Sequence, residues 1–169
     1  MQLMLVTGGA RSGKSDHAER LALSAGGGDV TFIATAEAGD AEMSARIARH
    51  RAQRHDAWHT VEAPLDPAAA IAGAETNVVL LDCLTLLVSN LLHAGDESAV
   101  FAQVDAILHA RCARAGTLIV VTNEVGLGIV PANGLARTYR DALGLANRKV
   151  AEAADAVVLM VSGIPLVVR

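Results

Sequence analysis

Aromatic residues and basic charge are both scarce in this sequence. Phe, Tyr and Trp together make up 2% of the 169 residues, and the net charge is −4. So few rings leave little material for the stacking platforms that hold single-stranded nucleic acids. A nucleic-acid-binding protein also normally carries a basic surface, which this composition does not supply. We therefore expect no nucleic-acid partner.

Cysteine and long apolar segments are scarce as well. Cys83 and Cys112 are the only cysteines, and their spacing fits neither a disulfide framework nor a metal site. No apolar run reaches the roughly 18 residues that a membrane-spanning helix needs. The first residues are strand-like and lack the basic segment and cleavage site of a signal peptide. These absences predict a cytoplasmic protein without a membrane span.

What is present indicates a single α/β domain over residues 1–169. Short continuous runs of Val, Ile and Leu alternate with longer amphipathic segments, which predicts a mostly parallel sheet with helices on both faces. Pro165 favours an edge position for a short last strand over residues 164–168. We predict the other strands over residues 3–7, 30–34, 78–82, 118–122 and 157–161, and helices over residues 14–25, 41–54, 84–93, 98–115 and 135–154.

The clearest motif lies between the first predicted strand and the first predicted helix. Gly8-Gly9-Ala10-Arg11-Ser12-Gly13-Lys14-Ser15 satisfies the phosphate-binding pattern G-x-x-x-x-G-K-[ST]. Glycines let backbone amides curl around phosphate oxygens, and the helix N-terminus adds positive charge. We expect Lys14 to reach the β- and γ-phosphates and the Ser15 hydroxyl to ligate Mg²⁺. The alternative is a glycine-rich turn that merely joins strand to helix, but the strand–loop–helix setting favours the phosphate loop.

Asp82 is a second candidate, because it ends the buried run over residues 78–81. At the carboxyl end of a parallel strand, its carboxylate faces the same crevice as the phosphate loop. There it could hold Mg²⁺ directly or through water. The alternative is an N-cap for the following helix. The presence of the phosphate loop favours the metal role.

Positive charge is concentrated in the predicted helix over residues 41–54, for which Asp40 is a candidate cap. His50 shares one face of this helix with Met43 and Ile47, beside several arginines. One interpretation is a phosphate-facing surface on which neutral His50 attacks phosphorus and the arginines stabilise the developing charge. The other is a solvated basic face with a half-buried histidine, and the pattern taken alone favours this second interpretation.

Two polar residues, Asn123 and Glu124, directly follow the fourth buried strand. This position puts an amide and a carboxylate at the same sheet edge as the phosphate loop. They could polarise a substrate hydroxyl or sense a γ-phosphate. A capping and turn role explains them equally well, so both interpretations stay open at this point.

Together these segments resemble the bifunctional adenosylcobinamide kinase/adenosylcobinamide-phosphate guanylyltransferase family of cobalamin biosynthesis. The resemblance covers essentially the whole chain. The phosphate loop and the segment Asn123-Glu124-Val125-Gly126 are together highly specific. The remaining likeness is carried by residues 33–36, 42–43, 46–47, 50–51, 81–85, 89–92, 128–131 and 161–165.

The resemblance implies a RecA-like P-loop fold, a homotrimer and two reactions. GTP or ATP would phosphorylate the corrinoid adenosylcobinamide, and GMP would then pass from GTP to that phosphate through a guanylylated histidine, releasing pyrophosphate. His50 matches that histidine, and Lys14 joins it as a catalytic residue. Mg²⁺ would be held by Ser15 and Asp82. Nucleotide contacts are implied for the phosphate loop and for Ala34, Thr35, Ala36, Arg51, Ala52, Gln53, Arg54, Glu62 and Asp82.

Two other functions stay open on the sequence alone. The first is a P-loop kinase for another small alcohol, without nucleotidyl transfer. The second is a nucleotide-gated switch that binds partner proteins, in which the helix carrying His50 would have no covalent role.

Overall fold

The computed structural model describes residues 1–39 and 41–169, and leaves out the side chains of Glu42, Arg46 and Gln53. Asp40, the candidate helix cap, therefore lies outside the described residues. The strands are β1 Gln2–Gly8, β2 Val30–Ala34, β3 His59–Glu62, β4 Val78–Asp82, β5 Thr117–Val121, β6 Ala156–Val161 and β7 Ile164–Val167. The helices are α1 Lys14–Gly26, α2 Ala41–Gln53, α3 Pro67–Gly73, α4 Leu84–Ala94, α5 Glu97–Cys112 and α6 Gly134–Ala153.

The strands form one sheet in the order β3-β2-β4-β5-β1-β6-β7. Neighbouring strands are parallel except β6 and β7, which pair antiparallel. The five predicted buried strands are confirmed as β1, β2, β4, β5 and β6. The predicted edge position of the last segment is confirmed too, because β7 is the outermost strand and places Pro165 opposite Met160.

Two elements were not predicted, β3 and α3. All four residues of β3 are exposed at the sheet edge, so this strand has no apolar run to reveal it. Helix α3 has only seven residues, and it begins at Pro67 with Asp66 as its N-cap. Proline at the first helical position and a capping aspartate are both ordinary helix-start signals. They are hard to recognise when so little apolar periodicity follows them.

Apolar side chains cover both faces of the sheet, which explains the continuous apolar runs. Successive strand residues point to opposite faces. Leu5 therefore packs in the cluster shared with α3, α4, α5 and α6, whereas Val6 packs in the cluster shared with α1 and Trp58. Within the described parts of the chain, no helix combines the length and the hydropathy that a bilayer-spanning segment requires.

The strand order fixes what meets at the carboxyl edge of the sheet. Because β2, β4, β5 and β1 are consecutive neighbours, the residues at or just after their carboxyl ends form one row. That row runs from Thr35 through Asp82 and Asn123 to Gly8, where the phosphate loop begins. In open α/β sheets this edge is where ligands bind.

Candidate active site

The phosphate loop leaves β1 and enters α1 through backbone angles that favour glycine. Gly8 has a φ angle of 151° and Gly13 one of 85°, while Arg11 also adopts a positive φ of 55°. A Cβ atom at Gly8 would lie 2.5 Å from the backbone oxygen of Met160. The first glycine of the motif is therefore required by close packing against β6 as well as by backbone conformation.

Two neighbouring segments hold this loop in place. The Glu124 amide donates a hydrogen bond of 3.0 Å to the Gly8 oxygen, and the Gly163 amide donates one of 3.0 Å to the Ser12 oxygen. The first bond comes from the segment after β5, and the second from the turn between β6 and β7. Both use main-chain oxygens of the loop. The amides that would hold a phosphate are thus oriented by a rigid frame.

Lys14 and Ser15 occupy the first turn of α1, beneath the loop. Lys14 is buried, with 8% of its surface exposed. Its Nζ donates a hydrogen bond of 2.7 Å to the Gly9 oxygen. The ammonium group therefore lies against the inner side of the loop, within reach of the space in which phosphates bind in such loops.

Asp82 lies at the end of β4 with its carboxylate directed toward the phosphate loop. Burial raises the pKa of Asp82, while the hydrogen bond with the Ser15 hydroxyl and the neighbouring His50, Arg54 and Lys14 side chains lower it. The capping alternative is excluded, because Cys83 rather than Asp82 is the N-cap of α4. The Asp82–Cys83 peptide bond is cis.

The residues around Asp82 fit a divalent cation. Burial, followed by the charges of Asp82 and Asp16, raises the pKa of Glu19 to about 7. Glu19 is half-buried and lies near these acidic groups and near the Arg54 guanidinium, which lowers its pKa. A bound cation would favour its ionised form further. Among the described residues no cluster of three His, Cys, Asp or Glu ligands forms. The direct ligands would be Ser15 and Asp82, and Mg²⁺ commonly takes one or two protein oxygens and completes its shell with phosphate and water.

His50 lies on α2 and faces the same edge of the sheet. It is half-buried and lines a cavity of about 80 Å³ together with the metal-ligand candidates Ser15 and Asp82. The structure thus brings the histidine of α2 to the phosphate-loop site, although His50 lies 35 positions after Ser15 and 32 positions before Asp82 in the sequence. The other lining residues are Ala34, Ala36, Met43, Ile47, Arg51, Arg54, Glu62, Cys83 and Leu86.

Arg54 follows α2 and brings a second positive group to this cavity. Its guanidinium carbon lies 3.7 Å from the centroid of the Phe32 ring, a cation–π geometry. Nε and Nη1 are buried and have no hydrogen-bond partner among the described residues. Burial lowers the pKa of Arg54, whereas Asp82 and Glu19 raise it. Two buried donors without acceptors are suited to an anionic ligand such as a phosphate.

The remaining predicted nucleotide contacts are distributed around the cavity. Ala34 and Ala36 line it, and Ala52 lines a wider cleft that shares Ala36 and Ile47 with the cavity. Arg51 and Glu62 form an ion pair that joins α2 to β3. Thr35 is completely buried below the cavity surface. The side chain of Gln53 lies outside the described residues.

The thiol of Cys83 also lines the cavity and is the other conceivable nucleophile there. Burial, together with the neighbouring Asp82 charge, raises the pKa of Cys83 to about 12. Thiolates are the reactive form of cysteine. Near neutral pH this group stays a protonated thiol, which leaves His50 as the better-placed nucleophile.

A buried polar network supports the segment that begins at Asn123, and sequence reasoning missed it. The Thr85 hydroxyl accepts a hydrogen bond of 2.7 Å from the Asn123 amide. Asn147 donates to the Asn123 oxygen at 2.9 Å and accepts a bond of 2.6 Å from the Thr122 hydroxyl. The only sequence signal is that Thr85 and Asn147 are polar positions on otherwise apolar helix faces. Glu124 accepts from the Gly126 amide at 2.5 Å, so its side chain forms a turn here and caps no helix.

Comparison with known proteins identifies the family. The profile of the family described as cobinamide kinase / cobinamide phosphate guanyltransferase, CobU, matches residues 4–168. The chain belongs to this family. It is 45% identical over 164 residues to the bifunctional adenosylcobalamin biosynthesis protein CobP of Pseudomonas aeruginosa, covering 96% of this chain and 94% of the relative. It is 43% identical over 183 residues to the bifunctional protein CobU of Escherichia coli, with 99% of both chains covered.

Solved structures support the fold class independently. The flagellar accessory protein FlaH of Methanocaldococcus jannaschii superposes with a TM-score of 0.55 at 11% identity, covering 99% of this chain and 78% of that one. A KaiC-like protein of Pyrococcus horikoshii gives a TM-score of 0.55 at 13% identity, covering 94% and 70%. At such low sequence identity these similarities show only that the fold is shared. The predicted RecA-like P-loop fold is confirmed, and the chain is a bifunctional kinase and nucleotidyltransferase of its family.

Proposed function

We propose that this enzyme phosphorylates adenosylcobinamide with GTP or ATP and then transfers GMP from GTP to adenosylcobinamide phosphate through a guanylylated His50. The observation that carries the proposal is the shared cavity of His50, Ser15 and Asp82 beside the phosphate loop. A kinase alone needs the loop and an acidic residue. A histidine held against the same site supplies the additional nucleophile that a covalent transfer requires.

In the kinase step, the chain's contribution is positioning and charge. Amides of the phosphate loop and the Lys14 ammonium hold the β- and γ-phosphates while the corrinoid hydroxyl oxygen attacks the γ-phosphorus in line. The bond from this phosphorus to the β,γ-bridging oxygen breaks, the nucleoside diphosphate leaves with the bonding electrons, and the hydroxyl proton passes to solvent. Asp82 and Ser15 would hold Mg²⁺, which when bound neutralises charge on the phosphates. Asn123 and Glu124, fixed at the neighbouring strand end, are placed to orient the acceptor hydroxyl.

In the guanylyl step, a nitrogen of neutral His50 attacks the α-phosphorus of GTP. The bond between this phosphorus and the α,β-bridging oxygen breaks, and pyrophosphate leaves with the bonding electrons. An oxygen of adenosylcobinamide phosphate then attacks the same phosphorus, breaks the phosphorus–nitrogen bond and regenerates His50. The unpaired donors of Arg54 stabilise the charge that accumulates on phosphate oxygens in both halves of this step.

The cavity that His50 shares with Ser15 and Asp82 is small for a nucleotide. Ligand pockets for molecules of this size usually measure about 300–1,000 Å³, whereas the cavity between α2 and the sheet edge measures about 80 Å³. We infer that α2 moves outward to admit GTP and carries His50 with it. Two further clefts, both lined in part by Arg51 and Glu62, adjoin the cavity and leave room for this displacement.

The covalent step is tested by labelling with GTP that carries the radioactive label at the α-position. Wild-type protein is expected to retain the label in an acid-labile, alkali-stable bond, as a phosphoramidate does, and His50→Ala is expected to retain none. A matched control is His109→Ala, since His109 is an exposed histidine on α5 and its substitution should leave labelling intact. Mass spectrometry of the labelled protein then locates the GMP adduct.

The outcomes separate the candidate functions. If His50→Ala still takes up the label, the histidine assignment is wrong. If wild-type protein transfers the γ-label to adenosylcobinamide but never holds the α-label, the enzyme acts as a kinase without a covalent guanylyl intermediate. Lys14→Ala should lower the rate of the kinase step strongly, and unchanged turnover in that variant would remove the role given to Lys14.

We also propose that the enzyme works in the cytoplasm as a homotrimer, as the family resemblance implies. Exposed apolar side chains on the segment between β5 and α6 support an interface between copies, because Leu127 is 88% exposed and Ile129 is 97% exposed. Light scattering after size-exclusion chromatography measures the mass directly. A monomeric mass at micromolar concentration would contradict the trimer.

A further inference from the structure

Thr35 is a buried residue at the active-site edge whose hydroxyl is engaged inside the protein. It follows β2 directly and has 0% of its surface exposed. Its Oγ1 donates a hydrogen bond of 2.7 Å to the Cys83 oxygen and accepts one of 2.8 Å from the Cys83 amide. One hydroxyl therefore satisfies both backbone groups of the residue that follows Asp82.

The backbone of Thr35 is bound just as fully. Its amide donates to the Asp82 oxygen at 3.2 Å. Its own oxygen accepts a hydrogen bond of 2.8 Å from Nδ2 of Asn90, which also donates to the Pro64 oxygen at 3.0 Å. Asn90 thus ties the ends of β2 and β3 to α4. Thr35 is the point at which these three elements are joined to the end of β4.

These hydrogen bonds fix the backbone at Asp82, and the backbone sets the direction of its carboxylate. The main chain on both sides of Asp82 is fixed, because Ala34 pairs with Asp82 in the sheet and Thr35 holds Cys83. The carboxylate is thereby directed at Ser15. A residue that orients a metal ligand without touching the metal commonly matters for affinity almost as much as the ligand itself.

We propose that Thr35 is a positioning residue, whose hydroxyl holds the Asp82–Cys83 backbone so that the Asp82 carboxylate faces Ser15 and a magnesium-bound nucleotide. The inference rests on the proposed function, because it takes Asp82 to be the protein's carboxylate ligand for Mg²⁺. It also assigns Thr35 an effect through Asp82 rather than a direct contact between its hydroxyl and the nucleotide.

The test compares Thr35→Val, which keeps the shape but loses the hydroxyl, with Thr35→Ser, which keeps the hydroxyl. GTP affinity is measured by calorimetry, once with Mg²⁺ and once with EDTA. We expect Thr35→Val to lose about 10- to 100-fold in affinity with Mg²⁺ and to match the wild type in EDTA. Thr35→Ser should recover most of that loss.

A matched control removes a buried hydroxyl from β2, the strand that Thr35 follows. Thr31 is 3% exposed and bonds to Thr76 at 2.8 Å, at the opposite end of β2. Thr31→Val should lower the melting temperature in the manner of Thr35→Val but leave GTP affinity with Mg²⁺ unchanged. Equal GTP affinity with Mg²⁺ in Thr35→Val and the wild type overturns the proposal and reduces Thr35 to a structural residue.

A double variant distinguishes an effect of Thr35 through Asp82 from a direct contact between Thr35 and the nucleotide. In Asp82→Asn protein, Thr35→Val should cause no further loss of affinity with Mg²⁺, and a further tenfold loss would overturn the proposal. If Thr35→Val does not fold, the half-buried Asn90 carries the test, since Asn90→Ala loosens the same junction. A folded Asn90→Ala protein with wild-type affinity also overturns it. Wild-type protein that binds GTP equally well with Mg²⁺ and with EDTA would instead refute the proposed metal role of Asp82, and the inference would fall with it.

Discussion

Replacing Gly8 by alanine should destabilise the protein for two reasons that can be evaluated from the structure. The new Cβ would lie 2.5 Å from the Met160 backbone oxygen and 2.8 Å from the Ser12 hydroxyl. Relieving such an overlap usually costs about 1–3 kcal/mol. The φ angle of 151° is unfavourable for a side chain and adds about 1–3 kcal/mol of backbone strain. The expected loss of unfolding free energy is therefore about 2–6 kcal/mol.

The neighbouring glycine provides the matched control. A Cβ at Gly9 would meet no atom within 4 Å, and its φ angle lies outside the positive range. Gly9→Ala should therefore change the unfolding free energy by less than about 1 kcal/mol. Both variants have the same composition, so a difference between them reports position alone.

Thermal and urea unfolding, each followed by circular dichroism, measure the effect. For a chain of this length, 1 kcal/mol corresponds to roughly 2–4 °C in melting temperature, so Gly8→Ala should melt roughly 10 °C below the wild type. A Gly8→Ala protein within 2 °C of the wild type, or one no less stable than Gly9→Ala, would refute the packing argument. The segment after β1 would then be more adaptable than the contact with Met160 indicates.

Three further predictions concern other parts of the chain. Asn133 caps α6 by accepting hydrogen bonds of 2.8 and 3.3 Å from two backbone amides. Asn133→Ala should therefore lower the free energy of unfolding, measured in urea, by about 1 kcal/mol. Asn133→Ser should recover most of this loss, and an equal loss in both variants would disprove the capping role. The hydrogen bond from the Leu3 amide, helped by Arg111, lowers the pKa of Asp155. The ionised carboxylate therefore stabilises the fold above about pH 4, and this contribution disappears as the pH falls through the lowered pKa. Asp155→Asn should be less stable than the wild type at pH 7 but not at strongly acidic pH, and a difference in stability that does not change with pH would contradict this prediction. The single tryptophan, Trp58, lies just beyond α2 and stacks on His55 with ring centroids 6.2 Å apart. Saturating GTP should therefore change the fluorescence of Trp58. A constant fluorescence signal at saturation would contradict movement of α2.

The sheet and the phosphate loop were predictable because their signals are local. The glycine pattern after the first apolar run predicted the position of the phosphate loop, and continuous Val and Leu runs predicted five of the strands. The edge strand β3 gave no such signal, because all four of its residues are exposed. Secondary-structure propensity and periodicity cannot identify a strand that contributes no buried side chain to the core.

The role of His50 shows what periodicity leaves open. The pattern of the helix alone favoured a solvated basic face with a half-buried His50. Only the folded chain brings it to Ser15 and Asp82, and the spacing in sequence contains no trace of that proximity. The capping alternative for Asp82 was likewise settled by the backbone, because α4 begins one residue later than a cap at Asp82 would require.

The hydrogen-bonded junction at Thr35 was out of reach for the same reason. Its partners come from β4, α4 and the segment after β3, and threonine at a strand end is too common to signal a role. The turn at Gly163, which donates to the phosphate loop, is similar: its sequence suggests a hairpin, but nothing in it indicates which oxygen the amide will meet.

The order of the strands has a consequence for how the protein is made. β1 is the first strand to leave the ribosome, yet its partners are β5 and β6, which begin at Thr117 and Ala156. During synthesis the early strands β2, β3 and β4 have one another to pair with, whereas β1 must wait with its apolar residues uncovered. The phosphate loop can therefore take its final shape only after β5 and β6 have left the ribosome, and a ribosome-stalled fragment ending before residue 117 should fail to bind GTP even if it is compact.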